Sequence, residues 1–315
     1  MDRKSVVVLG VIFGGLFLSL FAFLLLAYAA VKGGGEDGGS SFGGPAIGVV
    51  EIKGTIVNMD KQLKTLRKYG RDEKIKAVLV RIDSPGGAVA PSQEIYDELR
   101  RLQNDKKKPV VCSMGNVAAS GGFYIAAGCG KVLALPGTLT GSIGVISQMP
   151  NFTRIAEWAK FDMNTIKSGK LKDVGNPFRP MNDDDREFFQ GLTNNIYEQF
   201  LEAVATGRNL KVDDVRPIAD GRVLTGKQAF ELKLVDQLGN FNDAIKLAAE
   251  LGKIEGDEPK LQYPPEENPF KFEELMKEGG RALFKGLKQE AVSSTGAEQE
   301  IVGPAFLMPM PAAAQ

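Results

Sequence analysis

The sequence predicts an α/β fold in which helices wrap a mostly parallel sheet, preceded by an N-terminal transmembrane helix. Two patterns indicate this organisation. Between Ile47 and Leu251, short β-branched apolar runs alternate with amphipathic runs, and this alternation favours parallel strands that helices connect. Before them, no charged residue occurs from Val6 to Val31, which is typical of a membrane span.

The uncharged N-terminal run is long enough to anchor the chain in a bilayer. As a helix, residues 6–31 would extend about 39 Å, more than the ~30 Å thickness of a hydrocarbon core. Arg3 and Lys4 precede this run, and positive charge is retained on the cytoplasmic side of a membrane. We therefore expect a single pass through the cell (inner) membrane, with a cytoplasmic N-terminus and an extracytoplasmic remainder.

Composition divides the chain into four parts. Residues 1–31 form the head and anchor, and the Gly/Ser-rich residues 32–45 a flexible tether. Residues 46–255 form the globular domain, and residues 256–315 a C-terminal extension and tail with an amphipathic run. A cleaved signal peptide is the alternative to an anchor, because Ala27-Tyr28-Ala29 offers small residues at cleavage-site spacing.

The periodicity of apolar residues predicts the elements of the globular domain in order. Strands are expected at residues 47–52, 76–83, 109–112, 131–135 and 143–147. Helices are expected at residues 61–69, 91–103, 125–128, 151–160, 227–233 and 242–251, with a single turn at 212–216. A long helix begins after Asn182, a suitable N-cap. Its apolar residues recur every fourth position and are expected to face the core: Phe188, Leu192, Ile196, Phe200 and Val204.

Composition also excludes several kinds of site. The chain has no histidine, which excludes Ser-His-Asp and Cys-His catalysis and most zinc and haem sites. Lysine plus arginine balance aspartate plus glutamate at 39 each, so no basic excess points to nucleic acid. We expect no cofactor and no metal. Cys112 and Cys129 lie in apolar or small-residue surroundings and are interpreted as buried thiols, with a disulfide as the alternative.

The candidate nucleophile is Ser120, at the predicted junction between a buried strand and a small-residue helix. It lies within Gly115-Asn116-Val117-Ala118-Ala119-Ser120-Gly121-Gly122-Phe123-Tyr124. The small neighbours let a substrate backbone approach the hydroxyl and let glycine amides point at one spot. A second glycine loop, Ser84-Pro85-Gly86-Gly87, should open at the same edge of the sheet. The alternative is a small-residue turn that only closes a strand-to-helix connection.

Without histidine, the group that takes the serine proton is best sought among the lysines. A lysine becomes an effective base when desolvation lowers its pKa from about 10.4 towards neutrality. The residues alone do not identify that lysine, because Lys167, Lys170 and Lys172 lie within one short stretch.

Several motifs, taken in order, resemble the signal peptide peptidase A family, the protease IV group. The stretch 115–124 is preceded by Asp83-Ser84-Pro85-Gly86-Gly87 and followed by Leu139-Thr140-Gly141-Ser142-Ile143-Gly144-Val145-Ile146. Residues 166–173, 220–226 and 234–239 resemble the later signatures of the family. The resemblance covers about residues 46 to 255.

This resemblance implies a Ser-Lys dyad peptidase domain over residues 46–255, with a fold related to the crotonases and the Clp protease. By motif, Ser120 is the nucleophile, Lys172 the general base and Ser142 the residue that orients the lysine. The amides of Gly87 and Gly121 match the oxyanion-hole positions.

The resemblance further implies a membrane-anchored serine endopeptidase that degrades cleaved signal peptides and other apolar peptides. Short members of the family form rings in which neighbouring subunits share the dyad, so a homo-oligomer is expected. Membrane lipid would be contacted through the anchor. The amphipathic run at residues 270–291 could pack on a neighbour, on lipid or on its own domain. The alternative function is a non-proteolytic crotonase-like scaffold or a thioester enzyme.

Overall fold

The computed structural model describes residues 44–256 and 258–265. The predicted anchor, almost all of the tether and most of the C-terminal extension lie outside these residues. Within the described ranges, every helix is too short or too polar to cross a membrane.

The described residues contain eight strands in one sheet. Their order is β6-β5-β3-β2-β1-β8, with β4 beside β3 and β7 beside β4, and each pair is parallel except β5 with β6. The strands are β1 (Ala46–Lys53), β2 (Ile75–Ser84), β3 (Val110–Ala119), β4 (Lys131–Ala134), β5 (Leu139–Gly141), β6 (Val223–Thr225), β7 (Gln237–Leu238) and β8 (Lys260–Gln262). The α/β class with a mostly parallel sheet is confirmed.

Helices connect most of these strands. They are α1 (Asp60–Arg71), α2 (Val89–Asn104), α3 (Gly121–Ala127), α4 (Thr153–Ala159), α5 (Asp183–Arg208), α6 (Val212–Val215), α7 (Gly226–Glu231) and α8 (Phe241–Leu251), with a 3-10 turn at Arg216–Ile218. Asn182 caps α5 as predicted, because its side chain accepts a hydrogen bond from the Asp185 amide.

The central strands are buried on both faces, as is usual for parallel sheets. On one face, side chains of β1 such as Val50 and Ile52 join the larger core cluster, which also includes Phe123 of α3. On the other face, Ile47 and Val49 pack in a smaller cluster with alanines of α8. The sheet therefore lies between two packed layers, and β3 contributes side chains to both of them.

The predicted strand at residues 143–147 is wrong. The strand in this part of the chain is β5, and residues 143–147 have no regular structure. Gly141 and Ser142 both have positive φ, of 73° and 50°, and this left-handed backbone cannot continue a strand. Ile143 is still fully buried, which explains why its segment resembles a strand in sequence.

Two further expectations need correction. In α5, Phe200 and Val204 enter the core, but Phe188 and Leu192 remain 40% and 46% exposed. The first half of the helix extends beyond the core of its own domain. The interpretation of Cys112 and Cys129 as thiols is also wrong, because the two form a disulfide with their Cα atoms 5.9 Å apart.

Candidate active site

Ser120 occupies the turn between β3 and α3. Its φ of 53° and ψ of −121° are unusual for a residue with a side chain, and such strain concentrates at functional sites. Two backbone hydrogen bonds hold the turn. The Ser120 amide donates to Gly141 O at 2.9 Å, and the Tyr124 amide donates to Ser120 O at 2.8 Å. The backbone thus fixes the position from which the Ser120 hydroxyl projects.

An irregularity in β3 prepares this turn. Ile82 pairs with Met114 and Ser84 with Ala118, so the stretch 115–117 of β3 lies opposite the single residue Asp83 of β2. The Asp83 carboxylate accepts a hydrogen bond from the Val117 amide at 3.1 Å. This bulge re-aims the last residues of β3 towards Ser120.

Two threonines hold the same strand end from the other side. The Thr138 hydroxyl donates to Gly115 O at 2.8 Å, and the Thr140 hydroxyl donates to Ala118 O at 2.7 Å. Both threonines are buried. The final residues of β3 are therefore satisfied by fixed partners on both sides.

The loop with Gly86 and Gly87 is fixed beside Ser120 through Ile56. The Ile56 amide donates to Gly86 O at 2.9 Å, and the Ala88 amide donates to Ile56 O at 2.7 Å. Ile56 and Gly87 form a parallel β-bridge whose two hydrogen bonds use the residues on either side of Gly87, so the Gly87 amide itself faces away from Ile56. A Cβ atom at Gly121 would lie 3.3 Å from the Gly87 nitrogen, so the two glycines are adjacent.

The Gly121 amide is also available to a ligand. Gly121 is the first residue of α3, and the first amides of a helix have no acceptor within it. Gly87 and Gly121 thus bring two backbone donors next to Ser120. That arrangement can stabilise the negative charge that develops on a carbonyl oxygen during acyl transfer.

A cavity of about 300 Å³ brings four of the five predicted site residues together: Gly87, Ser120, Gly121 and Ser142. Its apolar walls include Val89, Tyr124, Val145, Ile146, Ile196 and Phe200. The Ser142 amide donates to Arg222 O at 2.8 Å. An apolar cavity with a few convergent polar groups is the usual form of a ligand site.

The fifth predicted residue, Lys172, is not among the residues that line this cavity. Lys172 is exposed to solvent. It lies within residues 160–182, which we call the lysine segment. The two neighbouring lysines are occupied by carboxylates: Lys167 Nζ lies 2.5 Å from Asp173, and Lys170 Nζ lies 2.8 Å from Asp184. The hydrogen bond that Lys170 donates to Asp184 raises the pKa of Lys170, so less of its amine is in the unprotonated form that a general base needs.

The sequence reasoning missed Ser92 and passed over Asp220. Ser92 is buried in the cavity wall, and its hydroxyl donates to Ala88 O at 2.9 Å. No sequence signal distinguishes it from other helical serines. Asp220 also lines the cavity, and hydrogen bonds from Arg222 lower its pKa to about 2. The sequence did offer a signal for Asp220, because this residue begins the stretch 220–226 that resembles a signature of the family.

The α/β fold with its mostly parallel sheet is consistent with a Clp protease-like fold. Residues 51–140 match the family model described as Clp protease. Residues 102–255 match the model described as peptidase family S49.

Relatives agree with the second match. A Synechocystis sp. protein named as a candidate protease is 43% identical over 223 residues, which cover 70% of this chain and 79% of the relative. A candidate signal peptide peptidase SppA of Enterococcus faecium is 38% identical, over 60% of this chain and 54% of the relative. The chloroplastic serine protease SPPA of Arabidopsis thaliana is 34% identical, over 66% and 30%. The match thus spans little more than half of the Enterococcus faecium protein and less than one third of the Arabidopsis thaliana protein. The chain belongs to peptidase family S49.

Proposed function

We propose that this protein is a membrane-anchored serine endopeptidase that degrades cleaved signal peptides through a dyad of Ser120 and Lys172. The observation that carries the proposal is the cavity in which a strained serine meets two free backbone amides and apolar walls. The family membership supports peptide-bond hydrolysis as the reaction.

The proposed reaction uses the cavity as follows. The Ser120 oxygen attacks the substrate carbonyl carbon while the unprotonated Lys172 amine takes the hydroxyl proton. The amides of Gly87 and Gly121 donate to the resulting oxyanion. The lysine returns the proton to the leaving amine, and water then hydrolyses the acyl-enzyme by the same steps. Ser142, at the cavity wall, would orient the lysine amine.

We further propose that the lysine comes from a second copy of the chain, so that a homo-oligomer shares each dyad. Lys172 is exposed, and several large apolar side chains that precede it in the chain are exposed too: Trp158 is 86% exposed, and Ile155 and Ile166 are exposed as well. Exposed apolar patches of this kind are typical of subunit interfaces. A second chain that covered Lys172 as well as these side chains would desolvate the lysine, as a general base requires.

The substrate class follows from the chemistry of the cavity walls. Aliphatic and aromatic side chains favour apolar peptides, and the apolar core of a signal peptide is such a peptide. The predicted anchor would keep the domain beside the membrane where these peptides remain, with the catalytic domain outside the cytoplasm.

The function is tested by Ser120→Ala and Lys172→Ala in the full-length chain. Each should lower hydrolysis of a defined signal peptide more than about 1,000-fold, and the double variant should be no less active than either, because the two groups act as one unit. Lys170→Ala is the matched control, since its amine is paired with Asp184. If Lys170→Ala were inactive and Lys172→Ala remained active, the assignment of Lys172 as the general base would be refuted.

A serine-reactive phosphonate probe separates the proposal from the alternative of a non-proteolytic scaffold. The peptidase should be labelled at Ser120 and lose the label in Ser120→Ala. A scaffold would show no labelling at this residue, and a thioester enzyme would be labelled but would leave peptides intact.

A further inference from the structure

The lysine segment is held by local turns rather than by a helix or strand. The Lys172 amide donates to Gly169 O at 3.1 Å, and the Val174 amide donates to Leu171 O at 3.2 Å. These turns bury little surface, because residues 160–172 are all exposed. Exposed turns of this kind open easily, so something else must keep the backbone of Lys172 in one place.

Arg179 supplies that restraint on the next residue, Asp173. Its Nε donates to the Asp173 carboxylate at 2.9 Å, and its Nη2 donates to the Asp173 backbone carbonyl at 3.1 Å. A guanidinium can make such a forked contact because its donors lie in one rigid plane. The contact therefore fixes both the side chain and the main chain of the residue beside Lys172.

The other edge of the same guanidinium is fixed to α5. Both Nη atoms of Arg179 donate to the Asp185 carboxylate, from Nη2 at 2.9 Å. Asp185 is buried in the first turn of α5 and closes the capping box with Asn182. Arg179 thus connects the residue next to Lys172 to the N-terminus of a 26-residue helix.

The charges around this connection leave the Lys172 amine free. The Asp173 carboxylate is shared by Arg179 and Lys167, and these hydrogen bonds lower its pKa to about 2. In the described part of the chain, no carboxylate forms an ion pair with Lys172. The backbone of Lys172 is therefore restrained, while its amine is not held in an ion pair with any carboxylate of the described residues.

We propose that Arg179 is a positioning residue for the general base: by joining Asp173 to Asp185, it holds the backbone of Lys172 at a fixed distance from α5. This rests on the proposed role of Lys172 in the Ser-Lys dyad. Because α5 also contributes Ile196 and Phe200 to the cavity wall, the helix that lines the substrate site of one chain would also position the base that this chain supplies to its neighbour.

The proposal is tested with Arg179→Met and Arg179→Lys in the full-length chain. Arg179→Met should lower kcat for an apolar peptide at least 30-fold with KM within twofold, because the substrate site remains and only the base is displaced. Arg179→Lys keeps the charge but not the fork, and should recover part of that loss. Arg216→Met is the matched control: Arg216 makes a forked pair with Glu198, also on α5, and its loss should change kcat less than twofold.

Hydrogen exchange gives a second measurement that does not depend on activity. Exchange at the amides of residues 172–176 should rise at least tenfold in Arg179→Met and stay unchanged in Arg216→Met. Unchanged exchange in Arg179→Met, or equal losses of kcat in the arginine variant and its control, would overturn the positioning role. If Arg179→Met fails to fold, Asp173→Ala removes the side-chain half of the contact, and exchange at the amides of residues 172–176 must rise in that variant as well.

These outcomes are distinct from failure of the proposed function. A wild-type protein without Ser120-dependent hydrolysis would refute the peptidase, while the exchange measurement would still decide whether Arg179 restrains the segment. A functioning dyad with unaffected Arg179 variants would refute the positioning role alone.

Discussion

The glycines around Ser120 determine how closely the two loops of the site approach each other. A Cβ atom at Gly121 would lie 2.6 Å from the Ser92 hydroxyl as well as close to the Gly87 nitrogen. Ser92 is buried, so it has little room to move away. A side chain at residue 121 would therefore separate the two amide donors from each other.

Gly121→Ala is accordingly expected to lower kcat about 100-fold, the scale of losing one oxyanion-hole donor, with little change in KM. Initial rates on an apolar peptide measure this. Gly137→Ala is the control, since among the described residues no atom beyond its two chain neighbours lies within 4 Å of its Cβ position, and it should remain as active as the wild type. Equal activity of the two variants would contradict a close role for Gly121.

At this scale the sequence predicted the grouping of Gly87, Ser120, Gly121 and Ser142 through the order of its motifs, and the cavity brings them together. Their catalytic roles stay predictions. Ser92 could not be predicted, because its proximity to Gly121 depends on how α2 packs against α3. A single sequence carries no signal for such a contact.

At the scale of elements, long periodic segments were predicted well and short ones were not. The helices α1, α2 and α8 and the strands β1 and β2 lie where apolar periodicity expects them. Strands β5, β6 and β8 have three residues each, too few to show a period of two. Their pairing depends on tertiary contacts that periodicity does not encode.

The connection between the lysine segment and α5 predicts a pH dependence. The pKa of Asp173 falls from 3.8 to about 2 in the fold, chiefly because Arg179 donates to its carboxylate. A group whose pKa is lower in the folded chain stabilises the fold above its unfolded pKa and loses that effect as the pH falls through the folded value. The contribution of the ionised Asp173 carboxylate to the free energy of unfolding should thus be constant from pH 5 upward.

We expect the difference in unfolding free energy between the wild type and Asp173→Asn to shrink only between about pH 4 and pH 2. Denaturant titrations at a series of pH values measure it. In an Arg179→Met background most of this pH dependence should disappear, because the main cause of the shift is gone. A difference that already declines near pH 6 would contradict the assignment to Asp173.

At the scale of the whole molecule, the described part of one chain does not bring the proposed nucleophile and the proposed base together. The sequence placed Ser120 and Lys172 in one dyad by resemblance, but within one chain the exposed Lys172 does not line the cavity. The sequence of one chain does not predict where a second copy of that chain would lie. The exposed residues Phe188 and Leu192 of α5, expected in the core, are consistent with contacts beyond the protomer.

Mixing inactive chains tests the shared site directly. Chains with Ser120→Ala and chains with Lys172→Ala, dissociated and reassembled at equal amounts, should regain activity, because roughly a quarter of the interfaces would carry both intact residues. Each variant reassembled alone is the control and should stay inactive. Mixtures that assemble normally and remain inactive would indicate a dyad formed within each chain.

The disulfide gives the fold a dependence on where the chain is made. Cys112 and Cys129 are 17 positions apart and both fully buried, so their bond closes a covalent ring that contains Ser120 and all of α3. A ring of this size stabilises a fold by about 3 kcal/mol in the loop-entropy model. Since thiols stay reduced in most cytosols and oxidise outside them, a chain retained inside the cell would lack the ring. A recombinant domain would then carry or lack this ring according to the compartment of its host.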